Sequence, residues 1–167
     1  MSEKKNRCYM SASAFLKFVY PEEYIHVPHQ MNKKYLYIDY EPAEVITSLQ
    51  DDCRIQTGCH PINLSSLIFG SIEDPNKLER KVKRDLKKYN YSFEGFVNKT
   101  IDGKYLQGVK YTFNDNGVDK YGETYSIVIN GKFLHLLSFF SEMKTLQENK
   151  DSWDSMCSES KWRDNCK

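Results

Sequence analysis

Residues 132–140 read KFLHLLSFF, and no other stretch restricts the fold of this 167-residue chain so strongly. Along a strand, side chains alternate between the two faces of the sheet. Phe133, Leu137 and Phe139 then fall on one face, and Leu134, Leu136 and Phe140 on the other. A strand that is apolar on both sides belongs in the middle of a sheet whose two faces are covered. Helices must therefore pack on both sides of whatever sheet this strand joins.

The sequence before it supplies neighbours. Lys132–Phe140 and Tyr121–Ile129 flank Asn130-Gly131, a strong hairpin signal because both residues tolerate the positive φ that a tight primed turn needs. Tyr91–Thr100 and Lys104–Phe113 are joined in the same way through Ile101-Asp102-Gly103, with Tyr105, Gln107, Val109, Tyr111 and Phe113 on one face. Further upstream, Ala14–Val19 reads as a strand ended by Pro21, which cannot donate into a ladder. YLYIDY (Tyr35–Tyr40) and LSSLIFGSI (Leu64–Ile72) also read as strands, while residues 42–62 stay open between helix and strand.

Two helices are available to cover the sheet. Asp74-Pro75 is a start signal, a capping carboxylate followed by proline at the first helical position. Leu78, Val82, Leu86 and Tyr89 then form one apolar stripe. A second helix, from about residue 142 to 157, carries Met143, Leu146, Trp153 and Met156. The expected architecture is α+β, an antiparallel sheet meander sandwiched by helices. The chain is long enough for one domain with its own core. We expect a tail over 1–11, the domain over 12–162 and a short tail over 163–167. The predicted core includes Phe18, Leu36, Ile38, Leu86, Val109, Ile127, Phe133 and Leu137.

This order of elements resembles the PsbP-like fold, shared by the photosystem protein PsbP, the lipoprotein DcrB, a yeast Ran-binding import factor and the Eag-type secretion chaperones. The residues that carry the resemblance are the Pro-x-x-aromatic turn Tyr20-Pro21-Glu22-Glu23-Tyr24, the turn Ile101-Asp102-Gly103-Lys104-Tyr105, the closing strand Phe133-Leu134-His135-Leu136-Leu137-Ser138, and a last helix ending near Ser158. Tyr24 stands where the family more often has tryptophan. The resemblance implies a binding role, a chaperone for an apolar effector segment being one form of it, and no catalytic residues.

The residues themselves offer one candidate surface for such a role. Between Lys77 and Lys88 lie seven basic residues, Lys77, Arg80, Lys81, Lys83, Arg84, Lys87 and Lys88, against Glu79 and Asp85. That is a local +5 in a chain of net charge +1, so the remainder carries −4. As a functional site this is a docking face, with an acidic protein the expected partner and an anionic membrane surface an alternative. Nucleic acid is disfavoured, since single strands bind where aromatics interleave with the charge. The commoner meaning of such a run is a solvated helix face. The acids Asp39, Glu41, Glu44, Asp51 and Asp52 lack calcium-loop spacing and read as its acidic counterpart.

No enzyme is expected. The chain has no GxSxG, HExxH, Walker loop or GxGxxG, and His135 reads as a core histidine. His26 and His29 flank Pro28 without a carboxylate placed to tune them. The alternatives are an enzyme with an unrecognised site, or an envelope lipoprotein whose leader was removed. The five cysteines, Cys8, Cys53, Cys59, Cys157 and Cys166, contain no CxxC, and Cys53, Cys59 and His60 make only a weak metal pattern. Free thiols and no metal or cofactor are expected. Mean hydropathy of −0.68 and the lack of a roughly 20-residue apolar run argue against a membrane-embedded chain. The N-terminal MSEKKNRCYMSAS has no apolar segment behind its basic residues, so a cytoplasmic location is expected as written, or an extracytoplasmic one if a leader was trimmed.

Overall fold

The computed structural model describes residues 6–10, 16–27, 33–40, 43–62 and 74–163. Its strands are β1 (Asn6–Met10), β2 (Leu16–Pro21), β3 (Tyr24–Val27), β4 (Ala43–Ser48), β5 (Cys53–Pro61), β6 (Ser92–Ile101), β7 (Lys104–Asp115), β8 (Val118–Ile129), β9 (Phe133–Glu142) and β10 (Lys161–Trp162). Its α-helices are α1 (Pro75–Asp85) and α2 (Leu146–Glu159). Seven strands form one antiparallel sheet in the order β3-β4-β5-β9-β8-β7-β6, and β1-β2-β10 form a second, small sheet.

KFLHLLSFF lies in β9, the middle strand of the large sheet, and residues 134–141 are all buried. Tight turns set the register of the meander. Asp102-Gly103, Asn116-Gly117 and Asn130-Gly131 all have positive φ at both residues, as primed hairpin turns require. The twist of the paired strands selects those turns over ordinary ones.

One face of the sheet packs on α2, β2 and β10. Phe139 stacks on Trp153 at 5.2 Å and 13°, Phe18 approaches the same indole at 6.0 Å, and Trp162 meets the edge of His135. The α2 stripe of Asn149, Trp153, Met156 and Cys157 has helical spacing. Where the helix ends, the Ser160 hydroxyl donates to the Met156 carbonyl and accepts from the Val19 amide, tying α2 to β2. The opposite face carries α1 over β6 and β7, and residues 35–40 beside it over β5 and β9. Tyr37 fills this second core, 4.9 Å from both Phe113 and Phe140. The result is the expected α+β sandwich.

Several expectations change. YLYIDY is not a strand: Lys33–Tyr35 is a short 3₁₀ turn, and residues 36–40 join no β-ladder. The aromatic composition of this segment reflects burial rather than pairing. Tyr37, Ile38 and Tyr40 are buried, and Leu36 is half-buried. Backbone groups held in a core need partners, and Gln56 supplies them. Its carbonyl accepts from the Tyr37 and Ile38 amides at 3.3 Å each, and its amide donates to the Ile38 carbonyl. The Tyr40 hydroxyl donates to the Leu134 carbonyl.

Residues 42–62, left open between helix and strand, hold β4 and β5. Residues 6–10, expected within the N-terminal tail, pair as β1 with β2. The last helix begins at Leu146 rather than near 142, after a 3₁₀ turn over Met143–Thr145 that leaves Met143 exposed. Of the predicted core, Phe18, Ile38, Leu86, Val109 and Leu137 are fully buried, whereas Leu36, Ile127 and Phe133 are half-buried. The strand expected over Leu64–Ile72 lies outside the described residues.

Candidate functional site

The basic helix starts as its sequence requires. The Asp74 carboxylate accepts from the Asn76 amide at 2.9 Å, and Pro75 occupies the first turn, where a missing N–H costs nothing. Leu78, Val82 and Leu86 are fully buried at four-residue spacing and seat the helix on Val109, Tyr111 and Phe113. The chain leaves the helix through a 3₁₀ turn over Lys87–Tyr89 and Asn90 in the left-handed region.

At about 100° per residue, this stripe divides the polar residues into two flanks and an outer crown. One flank holds Lys81 and Asp85. The Lys81 ammonium lies 3.0 Å from the Asp85 carboxylate and also donates to the Asp39 carbonyl, and its side chain is only 12% exposed. Asp85 in turn accepts from the Asp39 amide at 3.1 Å. Lys81 is thus a structural residue, which corrects its reading as an exposed cation. Glu79, on the other flank, accepts from the Tyr91 hydroxyl at 3.0 Å, which turns that flank toward the start of β6.

Both acids of the helix are therefore drawn sideways into hydrogen bonds. Arg80, Lys83, Arg84, Lys87 and Lys88 are exposed, and Lys77 is half-buried. Arg84 is 74% exposed and only 3.7 Å from Asp85, a weak pair. Lys88 sits over the Tyr89 ring at 5.1 Å.

Beside this helix lies a feature that the strand reading of Tyr91–Thr100 missed. Phe93 and Phe96 are 41% and 52% exposed, and their rings meet edge-on at 5.1 Å. Residues three apart on a regular strand point to opposite faces. Here the ladder skips between Phe93 and Gly95, a bulge that places Phe93 opposite Tyr111 and Phe96 opposite Val109, on the face covered by α1. Gly95 was the available signal, because an isolated glycine inside a strand pattern marks a bulge. Tyr105, paired with Thr100 on the same face, is 54% exposed and extends the margin.

The other candidates are structural. His135 is fully buried and shares a 3.0 Å hydrogen bond with Thr57, and burial pushes its pKa down to about 4, so it is neutral at physiological pH. His26 differs from expectation: the Glu44 carboxylate lies 2.8 Å from its Nε2 across the β3–β4 pair. Asp51 and Asp52 serve the turn between β4 and β5, where Asp52 accepts from Ser48 at 2.7 Å and Asp51 from Arg54 at 3.1 Å. The buried Glu123 accepts from Tyr121 and Tyr125 at 2.8 and 3.2 Å, a satisfied core carboxylate.

Cys53, Cys59 and Cys157 are buried free thiols. Burial pushes Cys53 up to about 12 and Cys59 up to about 11. Six residues of extended strand separate Cys53 from Cys59, roughly 20 Å at 3.3 Å per residue, so they cannot ligate one ion. Among the described residues no group of three or more histidine, cysteine or acidic side chains is placed to hold a metal. His29, Glu41 and the His60 side chain lie outside what the structure describes.

Comparison of the sequence with protein-family models and with curated proteins finds no match. Solved structures do match. Cyanobacterial PsbP (CyanoP) from Synechocystis has a TM-score of 0.65 at 13% identity, covering 96% of this chain and 94% of its own. LpqN of Mycobacterium tuberculosis, involved in cell envelope biogenesis, has a TM-score of 0.59 at 15% identity, with coverages of 95% and 91%. The Ran-binding protein Mog1p of Saccharomyces cerevisiae has a TM-score of 0.55 at 10% identity, with coverages of 96% and 97%. At these identities the likeness is one of fold: an α+β sandwich built on an antiparallel meander. That fold is PsbP-like, as the sequence resemblance implied. No described helix is long and apolar enough to cross a membrane.

Proposed function

We propose that this chain is a non-enzymatic binding module that docks an acidic protein partner on the outer face of α1. The observation that carries the reading is the sorting of charge on one helix. Glu79 and Asp85 are turned aside into hydrogen bonds, and the outward crown of Arg80, Lys83, Arg84, Lys87 and Lys88 holds cations alone. Asp85 spends its i,i+4 pairing on Lys81 at the flank, and its approach to the outward Arg84 is a loose 3.7 Å. Two further facts support a binding role. A protein of the same fold, Mog1p, is a Ran-binding protein, and the histidines and thiols described above are buried or paired within the fold.

The test reverses Arg80, Arg84 and Lys87 to glutamate and leaves Lys81 in place, because Lys81 braces the helix against Asp39. Pull-downs from the native host are run with both proteins over a salt series. Charge attraction is screened beyond about 8 Å at physiological ionic strength. A partner should therefore be held by the wild type at low salt, released as salt rises, and absent from the folded variant. Retention of every partner by the variant would reduce the crown to a solvated surface.

A further inference from the structure

The aromatic margin and the cationic helix meet at the one long strand edge that the described residues leave open. β6 is the last strand of the large sheet, ten residues long, and no described strand pairs with its outer side. The opposite edge, β3, has only four residues. Proteins blunt such edges because exposed amides and carbonyls template further pairing. In β6 the bulge near Gly95 disturbs one end, while Phe96–Ile101 continues in regular register. The two faces of this strand differ. On the α2 side, Lys99 is occupied, 3.0 Å from Asp154 and over the Trp153 ring at 5.4 Å. On the α1 side, Phe93 and Phe96 stand in solvent, with Tyr105 of the neighbouring β7 exposed beside Thr100.

We propose that an extended acidic segment of a partner protein adds to β6 as an eighth strand. Main-chain hydrogen bonds along Phe96–Ile101 supply the pairing, alternate apolar side chains pack on Phe93, Phe96 and Tyr105, and acidic side chains reach Lys83. This is strand addition, in which backbone bonds give affinity and alternate side chains give specificity. It rests on the reading of α1 as a docking face for an acidic partner and specifies the partner's conformation. Charge selects the occupant. Lys83 lies one turn beyond Glu79, at the edge of the crown nearest the flank that the Glu79–Tyr91 bond turns toward β6. A second copy joined through β6 in a continuous sheet would bring two helical segments, each of net charge +5 over residues 77–88, onto one face. An acidic strand meets the same cations as counter-charges.

The experiment selects displayed random twelve-residue peptides on the whole chain and measures the enriched sequences in solution against wild type and three variants. The proposal expects acids alternating with apolar residues, and amide shifts with slowed hydrogen exchange centred on Phe96–Ile101. It expects the double variant Phe93→Ser/Phe96→Ser to weaken binding by about tenfold or more, the range of a small hot-spot cluster. Lys83→Glu should weaken it by about threefold, with the loss shrinking at high salt. Three results overturn it: no enrichment, enriched peptides that leave β6 amides unmoved and bind the double variant within about twofold, or a dimer of the chain that the double variant abolishes. If peptides of the second kind are still lost from the Arg80, Arg84, Lys87 reversal, the cationic crown stands without the strand. If they bind that variant as well, both readings fall.

Discussion

The two faces of the large sheet are made by the same strands and finished in different ways. Under α2, both tryptophans, Phe18, Phe139 and Leu137 close a continuous core. Under α1, the cover is one helix plus an irregular segment held by Gln56, and it stops before the margin of β6. Both faces bury large side chains, but on the second the irregular segment is also tied down by Gln56 and by the Lys81–Asp85 pair. A fold that seals one face with apolar bulk can leave part of the other open without losing its stability. Four measurements test that division.

The largest effect belongs to the sealed face. Trp153 is fully buried, stacked on Phe139 and tilted against Phe18. Trp153→Ala should cost about 3–5 kcal/mol in urea unfolding. A loss under about 1 kcal/mol would mean that α2 covers the sheet loosely and that the two faces do not differ as described.

Acid should attack the same face next. His135 has its pKa pushed down to about 4 by burial, against 6.5 for the exposed side chain. The unfolded chain therefore binds the extra proton between those values. Stability is fully present above about pH 6.5, falls as pH drops toward 4, and levels off below. At 1.36 kcal/mol per pKa unit, the loss is on the order of 3 kcal/mol. Unfolding measured from pH 7 to pH 4 should show this slope, and His135→Gln should flatten it while lowering stability at pH 7. An unchanged slope in the variant would assign the acid sensitivity to other groups.

The face under α1 should respond through a hydrogen-bonding residue. Gln56→Leu keeps an apolar bulk but strands the Tyr37 and Ile38 amides and the Ile38 carbonyl. The expected loss is about 1–3 kcal/mol. Hydrogen exchange should quicken at residues 37–40 and remain slow in α2. Uniform loosening of both faces would show that the segment is not held locally.

These contrasts also mark where the sequence was readable. Asn130-Gly131 and Asp102-Gly103 define their hairpins through local φ alone, and KFLHLLSFF defines the sheet centre through period-two burial. Asp74-Pro75 sets the start of α1 by side-chain capping. Each of these signals acts within a few residues. YLYIDY misled because tyrosine and isoleucine favour any half-buried surface, and what keeps the segment out of a ladder is Gln56, some eighteen residues away. At the candidate site, the seven cations were visible in the sequence, but the separation of Lys81 and Asp85 from the crown depends on Asp39 across the fold. Phe93 and Phe96 were hidden because one skipped pairing at the bulge reverses the expected alternation.

The smallest expected effect is the most informative about the open margin. Phe96 is half-exposed, so its replacement removes little buried area and leaves no cavity. Phe96→Ser should therefore change unfolding free energy by less than about 0.5 kcal/mol, the range of ordinary surface substitutions. The same change made to Phe139, fully buried on the sealed face, would fall in the range of several kcal/mol set by large-to-small core changes. That outcome is the one required by the proposal that the Phe96 ring serves an added strand rather than the monomer's core. A loss above about 1.5 kcal/mol from Phe96→Ser would place the ring in the core instead and remove the margin as a docking surface.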